Sequence, residues 1–254
     1  MILMLQQLSL LFVRHLRKSM RSPVWILVGL FEPILYLLLF MPLLKGLGNA
    51  PGLPAGGIER TFVPGLLVML TIFTAGFVGF GVMDDKRIGF IERLMVSPAR
   101  RSAILLSLIA RDLVMLVAQT LIVTLLSLVL GLSMSFPGFC AALVMIVLVG
   151  VVMVSFSYAM ALIVSDESNL ASIANTVYMP ILLLSGIMLP LTLAPRWLKI
   201  AAKFNPFSYI VDAERLLFAG TFNDAEVWQA FAIVIVLAVG TTAWATSRLR
   251  KMSA

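Results

Sequence analysis

The sequence predicts an all-α integral membrane protein with six transmembrane helices, formed by residues 1–254 as a single transmembrane domain. Of the 254 residues, 61% are hydrophobic and 12% are charged. Soluble domains have about 45–50% apolar and about 25% charged residues, so this chain has too few polar side chains to cover a surface in water. The mean hydropathy of +1.07 agrees with lipid as the main solvent.

Six apolar runs are long enough to cross the hydrocarbon core of a bilayer, which takes about 20 residues of helix. The first run is interrupted only by Glu32 and Pro33, and the third and fourth are joined by a short turn that contains Pro137. The six predicted spans are residues 24–44, 61–83, 112–133, 139–164, 170–189 and 227–247.

The segment before the first span, residues 1–22, is predicted to lie on the membrane surface as an amphipathic helix. Its first apolar stretch is too short to cross, and Leu5, Leu8, Leu11 and Phe12 recur at helical spacing before a basic cluster. No basic residues precede the apolar stretch, so we expect no cleavable signal peptide.

The distribution of Lys and Arg fixes the expected orientation. Most of the basic residues outside the spans lie on the side that carries residues 1–22, residues 83–111 and the C-terminus. Cytoplasmic loops carry the excess of Lys and Arg, so both termini are predicted to be cytoplasmic. The net charge of +7 is then explained by topology rather than by a nucleic-acid partner.

Several kinds of chemistry are excluded by residues that the sequence does not contain. It has no G-x-x-x-x-G-K-[ST] phosphate-binding loop and no G-x-G-x-x-G motif. His15 and Cys140 are the single histidine and cysteine, which by themselves cannot supply a zinc site. We therefore expect no catalytic residue, no metal and no cofactor bound by this chain, and energy for uphill transport must come from an ion gradient or from another chain.

Residues 83–101, between the second and third spans, form a densely charged cytoplasmic segment. Ser97 followed by Pro98 is typical of a helix start, so a short helix and a break are expected before the next helix. The apolar residues Ile88, Ile91, Leu94 and Met95 fall on one helical face, and Lys86, Arg87 and Arg93 lie largely off it. A connector whose charges face water is one interpretation; mixed charge beside an apolar stripe favours a docking helix for a cytoplasmic partner.

Residues 189–226, on the opposite side, are too long for an ordinary loop. Pro190 and Pro195 break any spanning helix, while 197–198 and 204–210 are apolar enough to enter the membrane. Irregular backbone at membrane depth is tolerated where protein or a water-filled cavity covers it. We expect a helical hairpin that dips into the outer leaflet; a surface loop with an aromatic belt is the alternative.

Motifs distributed along the whole chain resemble those of the ABC-2 type permeases, the membrane subunits of ABC exporters for drugs, lipids and polysaccharides. The family's cytoplasmic pattern is matched by Gly89, Glu92 and Ser97-Pro98, although residues 85–90 depart from the Glu-x-x-x-Gly-Thr of many relatives. The other matches are Ala110-Arg111-Asp112 with Gln119, which is similar to the drug-resistance branch, and then Ser185-Gly186, Pro190, Pro195-Arg196-Trp197-Leu198, Asn205-Pro206 and Asp212-Ala213-Glu214-Arg215.

The resemblance implies a bacterial cytoplasmic (inner) membrane protein that pairs with a second copy, as a homodimer, and with a cytoplasmic ABC ATPase subunit that binds ATP and Mg. Residues 83–101 would be the coupling segment, and residues 189–226 would line the exit for a hydrophobic or amphipathic cargo. The predicted coupling residues are Asp84, Asp85, Arg87, Gly89, Glu92, Arg93, Pro98, Arg100 and Arg101, and the predicted pathway residues are Glu32, Tyr36, Pro190, Trp197, Asn205 and Pro206.

Glu32 supports a competing hypothesis, because an acid inside a span is costly and often functional. It could line the pathway and meet cationic cargo, or bond to another helix, or be protonated. An ion-coupled secondary transporter that uses Glu32 is the main alternative function, followed by a scaffold and an intramembrane enzyme. Such transporters normally use several intramembrane charges and discontinuous helices near the midplane, which disfavours the first of these alternatives.

Overall fold

A computed structural model of the protein describes residues 23–46, 59–89, 101–187 and 194–251. Within these residues all regular secondary structure is helical, which confirms the all-α fold class. The described residues contain nine helices: α1 (Pro23–Gly46), α2 (Glu59–Gly76), α3 (Gly79–Arg87), α4 (Arg101–Val129), α5 (Phe136–Ile163), α6 (Glu167–Leu184), α7 (Arg196–Lys203), α8 (Pro206–Ala219) and α9 (Ala225–Lys251).

Four stretches of the described chain are long and apolar enough to cross a membrane: Glu59–Arg87, Ile104–Val129, Phe136–Ile163 and Ala225–Lys251. They coincide with the second, third, fourth and sixth predicted spans. Helices α1 and α6 lie at the first and fifth predicted spans; within α1 the described apolar stretch is Gly29–Leu43, and α6 has 18 residues. The six-span topology stays a prediction. The predicted surface helix, residues 1–22, lies outside the described residues.

Helix α5 is the centre of the packing. It contacts α2, α3, α4, α6, α8 and α9, and its 28 residues reach about 42 Å at 1.5 Å per residue. Close approach to α4 depends on Gly150, where a Cβ would come within 2.6 Å of Leu116 Cδ2. Buried side chains lie around α5 on several sides, whereas α9 buries one stripe, Val227, Ala230, Val234, Ala238, Ala245 and Leu249.

The second predicted span is interrupted at residues 77–78, which separate α2 from α3. We call this interruption the 77–78 break. In a continuous helix the amide of Phe80 would bond to the carbonyl of Gly76; here it bonds to the carbonyl of Phe77, at 3.2 Å. Two glycines flank the break, Gly76 and Gly79, and a Cβ on either would lie within 2.7 Å of a neighbouring helix.

Helix α4 begins earlier than the third predicted span, which was placed at residues 112–133. The helix starts at Arg101, and its apolar stretch starts at Ile104. The prediction put Arg111 and Asp112 at the membrane surface because they are charged. They lie instead inside the apolar stretch, where they are paired with each other and mostly buried.

Residues 196–219 form two short helices joined by a tight turn, which gives the predicted hairpin segment its helical character. Asn205 caps α8 by accepting a hydrogen bond from the Phe207 amide, at 3.1 Å, and Pro206 follows at the first helical position. Helix α8 ends at Gly220 with a φ of 86°, the left-handed conformation that glycine adopts readily. The depth of this segment in the membrane stays a prediction.

Candidate functional site

The first part of the coupling segment leaves the membrane core as helix α3. The side chains of Asp84 and Arg87 are exposed and that of Asp85 is half-buried. Helix α3 is followed by Gly89, whose φ of 68° reverses the backbone. Of the other predicted coupling residues, Arg101 opens α4, and Glu92, Arg93, Pro98 and Arg100 lie outside the described residues.

The end of α3 is tied to the start of α6 by an ion pair. Arg87 Nη1 lies 2.6 Å from Glu167 Oε1, and both side chains are substantially exposed. Glu167 is in the first turn of α6, where the helix dipole favours a negative charge. An exposed pair contributes only about 0–1 kcal/mol to stability, and this one connects the end of α3 to the first turn of α6.

Helices α4 and α5 are joined by a buried charged cluster, Arg111, Asp112 and Tyr158. Arg111 Nη2 lies 2.7 Å from Asp112 Oδ1, and the two side chains are 16% and 10% exposed. The hydroxyl of Tyr158 donates to Asp112 Oδ2 and accepts from Arg111 Nη2, the latter at 3.3 Å. The carboxylate of Asp85 on α3 also interacts electrostatically with Arg111. The cluster therefore links the coupling segment to the two helices behind it.

The 77–78 break is held by hydroxyl groups from two other helices. Ser157 Oγ on α5 accepts from the amide of Gly79, at 2.9 Å, and donates to the carbonyl of Gly76, at 2.5 Å. The hydroxyl of Tyr178 on α6 donates to the same carbonyl, at 2.8 Å. Backbone groups freed by the break are thus satisfied by side chains, as buried polar groups must be.

Arg215 links three segments at the opposite end of the described fold, where the predicted hairpin lies. Its Nε donates to the carbonyl of Thr61 in α2, at 3.1 Å, and its Nη2 donates to the carbonyl of Gly186 beyond α6, at 2.6 Å. Its Nη1 pairs with Asp212, one turn earlier in α8, at 3.0 Å. One guanidinium therefore joins α8 to both α2 and the end of α6, which uses its several fixed donors.

The predicted pathway residues that the structure describes lie on α1, on α7 and at the start of α8. Glu32 is exposed on α1, and Tyr36 stacks on Phe40 with ring centroids 5.3 Å apart. Trp197 is 68% exposed on α7. The buried Asn205 donates a hydrogen bond from Nδ2 to the carbonyl of Ile181, at 2.8 Å. This bond connects the start of α8 to α6. Pro206 is half-buried next to it, and Pro190 lies outside the described residues.

Three polar features were not predicted as functional from the sequence: the Arg111–Asp112–Tyr158 cluster, the hydroxyl groups at the 77–78 break, and Glu214. The first had a readable signal, since Arg111 and Asp112 lie within an apolar run that starts seven residues earlier, at Ile104. The second had none, because serine and tyrosine are ordinary residues in a membrane helix.

Glu214 also had a signal in the sequence. It falls between Ile210 and Leu217 at helical spacing, on the apolar face of α8. Its side chain is 0% exposed, and neither carboxyl oxygen has a hydrogen-bond partner in the described residues. Burial raises the pKa of the Glu214 carboxyl well above its ordinary value, since the charged form cannot be solvated there.

Stability should therefore fall as the pH rises, through ionisation of Glu214. Because its folded-state pKa is raised, this contribution to stability is fully present below the unfolded-state pKa of about 4.3 and is lost as the pH rises towards the folded-state pKa, at up to about 1.4 kcal/mol per pH unit. The Glu214→Gln variant should lack this loss. Melting temperatures of both proteins in detergent between pH 5 and pH 9 measure the difference, and parallel curves would contradict it.

Residues that could hold a metal are not gathered anywhere in the described chain. Among residues 23–46, 59–89, 101–187 and 194–251, no group of three or more His, Cys, Asp or Glu side chains is placed to bind an ion. The arrangement consists of buried polar contacts that fix helices relative to one another. Such contacts suit the transmission of a movement better than bond-making chemistry.

Comparison with known proteins agrees with this description. Residues 6–219 match the ABC-2 type transporter family. The chain is 28% identical over 224 residues to ycf38 of Porphyra purpurea, named as a transport permease, with 85% of this chain and 75% of ycf38 covered. It is 24% identical over 194 residues to YbhR of Escherichia coli (strain K12), named as a multidrug ABC transporter permease, with 75% of this chain and 52% of YbhR covered.

The match extends over most of the sequence, from the predicted surface segment to the end of α8. It includes the described helices that carry the charged cluster, the 77–78 break and the Arg215 contacts. Members of this family are the transport components of ABC transporters rather than enzymes, and they work with an ATPase partner. This chain belongs to the ABC-2 type transporter family and is a membrane subunit of an ABC transporter.

Proposed function

We propose that this protein is the permease of an ATP-driven exporter in the bacterial cytoplasmic membrane. Two copies form the translocation pathway for a hydrophobic or amphipathic cargo, such as a drug, a lipid or a lipid-linked glycan. Hydrolysis of ATP, with Mg, takes place in a separate cytoplasmic ATPase subunit. Each copy has six spans with both termini in the cytoplasm, which the distribution of Lys and Arg supports.

The observation that carries the proposal is the set of contacts behind the coupling segment. Helix α3 runs from the 77–78 break to Arg87, which pairs with Glu167. Asp85 interacts with the buried charged cluster. A push on residues 83–101 would therefore reach α6 through the Arg87–Glu167 ion pair, and α4 and α5 through the charge interaction of Asp85 with Arg111. A mixed-charge surface also suits docking, because complementary charges fix the register between two protein chains.

The proposed cargo pathway lies between two copies of the permease. Glu32 on α1 and Trp197 on α7 are exposed in the single chain, so a second copy or the cargo has access to them. Asn205 and Arg215 act differently, since both hold α8 to its neighbours. We propose that α7 and α8 form the outer hairpin at the cargo exit and that these two side chains set its position.

The test is the vanadate-sensitive ATPase activity of the complex purified in detergent through a tag on this chain. Activity that co-purifies with a stoichiometric ATPase subunit is expected, and an active complex allows cargo candidates to be screened by stimulation. Folded protein that purifies without an ATPase subunit and without activity would contradict the proposal. It would favour an ion-coupled secondary transporter with Glu32 as the proton site.

Reversing two charges in the coupling segment should weaken the association with the ATPase subunit. The variant with Glu92→Lys and Arg93→Glu keeps the net charge of the segment but inverts its pattern, so complementary ion pairs become repulsive. We expect at least a tenfold loss of co-purified ATPase subunit, measured by quantitative pull-down from membranes, with unchanged insertion.

The matched control for that variant is Lys203→Glu with Asp224→Lys, which exchanges two exposed residues of opposite charge and leaves the net charge unchanged. These residues lie on the predicted outer side and should not affect ATPase binding. Equal recovery of the ATPase subunit with the coupling variant and with the wild type would count against docking through Glu92 and Arg93.

A further inference from the structure

The 77–78 break lies near the end of the second predicted span, between the buried helix α2 and helix α3, which leads into the coupling segment. Helix α2 before it is deeply buried: every residue from Thr61 to Ile72 is buried. Helix α3 after it has only nine residues, and its last turn is charged. A movement of the coupling segment therefore reaches the core through this interruption of the helix.

The backbone groups at the break bond to side chains of other helices. An unsatisfied buried backbone group is destabilising, because it has lost its bonds to water without gaining a partner. The break frees the carbonyl of Gly76 and the amide of Gly79 from their helical partners, and Ser157 and Tyr178 replace those partners. The two hydroxyl groups come from different helices, α5 and α6, so the tertiary structure specifies this interrupted hydrogen-bond pattern, which is called the bent form below.

Neighbouring helices also pack closely against the two glycines that flank the 77–78 break. A Cβ on Gly76 would lie 2.7 Å from the Tyr178 ring, and a Cβ on Gly79 would lie 2.6 Å from the carbonyl oxygen of Ser157. The Phe77 ring makes an edge contact with the Tyr178 ring at a centroid distance of 5.6 Å. Neither glycine position has room for a side chain while the bent form persists.

The alternative is a continuous α-helix through residues 77–78, which is called the straight form. In the straight form the backbone groups at the break have as many hydrogen-bond partners as in the bent form. When the helix is straight, the amide of Phe80 would bond to the carbonyl of Gly76, and the amide of Gly79 to that of Ala75, as in any α-helix. In this form the Ser157 hydroxyl can donate a hydrogen bond to the carbonyl one turn earlier in α5. Val78 already has φ −62° and ψ −20°, close to helical values, so the interchange requires small torsional changes.

We propose that the 77–78 break is the pivot of the coupling movement and that Ser157 and Tyr178 are the positioning residues that hold it in the bent form. The pivot rests on the proposed function, since it is the ATPase partner that moves the coupling segment. The interchange would change the orientation of α3 relative to α6 and so alter the Arg87–Glu167 ion pair. Bent and straight forms are then two discrete arrangements of one element, which an external push can interchange.

The variants Ser157→Ala and Tyr178→Phe remove one hydroxyl each and keep the remaining side chain. A neutral hydrogen bond contributes about 1 kcal/mol, so each variant should shift the ratio of bent to straight forms about fivefold towards straight. Ser157→Thr, which keeps the hydroxyl, should retain more of the bent form than Ser157→Ala. The matched control is Tyr209→Phe, which removes a hydroxyl that bonds to the Lys203 carbonyl at the other end of the fold.

The experiment is a distance measurement by spin labelling in the whole complex. Labels are attached to Ile88→Cys and Ile163→Cys, both exposed, in one copy of a mixed dimer that carries Cys140→Ser. Distances are recorded without nucleotide and after vanadate trapping. We expect the wild type and Tyr209→Phe to change distance on trapping, and Ser157→Ala with Tyr178→Phe to show the trapped distance already without nucleotide.

Each outcome has a separate meaning. If the complex hydrolyses ATP and the double variant keeps the wild-type change in distance, the pivot is wrong and the proposed function stands. If an active wild-type complex shows no change in distance, the pivot is also wrong. If the complex contains no ATPase subunit and no activity, the proposed function fails and the pivot fails with it. Tyr178→Phe alone, which keeps the ring and its packing, gives the same readout should the double variant not fold.

Discussion

Replacing Asp112 with alanine should cost the protein most of its folded stability, because the change leaves Arg111 charged inside an apolar helix. The two side chains are 10% and 16% exposed and pair at 2.7 Å. Removing one member of a buried ion pair typically costs about 3–5 kcal/mol, since the remaining charge has no counter-charge. The measurement is the melting temperature in detergent, with the amount of monodisperse protein as a second readout.

Two further variants identify the cause of that loss. Arg111→Met with Asp112→Leu removes both charges together and should recover most of the stability. The control Asp212→Ala also removes a carboxylate paired with an arginine, but that carboxylate is 45% exposed and Arg215 keeps its bonds to backbone carbonyls. It should cost about 1 kcal/mol or less. Equal effects of Asp112→Ala and Asp212→Ala would show that burial is not the cause.

Replacing Gly65 with alanine should be the most damaging conservative change in α2. A Cβ there would lie 2.2 Å from the carbonyl oxygen of Ile187 and 3.1 Å from its carbonyl carbon. Backbone atoms cannot rotate aside as a flexible side chain can, so α2 and the end of α6 must separate. Overpacking usually costs about 1–3 kcal/mol, and we expect the upper end of that range or more.

The same substitution should also weaken the Arg215 contacts, since Arg215 bonds to the carbonyl of the neighbouring Gly186. Gly138→Ala should behave alike, because its Cβ would lie 2.0 Å from the carbonyl oxygen of Leu217. The control is Gly240→Ala in α9, which meets nothing within 4 Å. It should be neutral or stabilising by up to about 1 kcal/mol, through helix propensity. A melting temperature for Gly65→Ala equal to that of Gly240→Ala would refute the clash.

The positions of the helices were largely predictable from the sequence. Apolar runs of about 20 residues, bounded by charges and prolines, predicted a helix at each of the six positions, and the structure has a helix at each. Asn205 and Pro206 were predicted as pathway residues; in the structure Asn205 caps α8 and bonds to the end of α6 as well. The cap is a local pattern, whereas its second partner, Ile181, is 24 residues away.

The start of α4 shows why some boundaries were misplaced. Charge was treated as a sign of the membrane surface, because an isolated charge in lipid is costly. Arg111 and Asp112 are not isolated, because their opposite charges offset each other. Tyr158, on another helix, bonds to both. Sequence periodicity cannot show that a partner 46 residues away will be in place.

The 77–78 break is the clearest case of a feature decided by tertiary structure. Gly76-Phe77-Val78-Gly79 is compatible with a helix, and the apolar run around it is continuous. At that point Ser157 and Tyr178 supply hydroxyl groups to the backbone groups that the break frees. Its existence therefore depends on how α5 and α6 pack against α2.

The sequence by itself determined that this chain lies in a membrane, where its helices lie and to which family it belongs. The membrane location and the helix positions follow from apolar burial, which is roughly proportional to area and non-directional, so composition and period suffice to predict them. The family resemblance rests instead on motifs distributed along the chain. Only the tertiary structure decided which buried polar groups pair, where α2 ends and how α8 is held. Hydrogen bonds and ion pairs act over about 3 Å and in fixed directions, so residues distant in sequence must first be brought together.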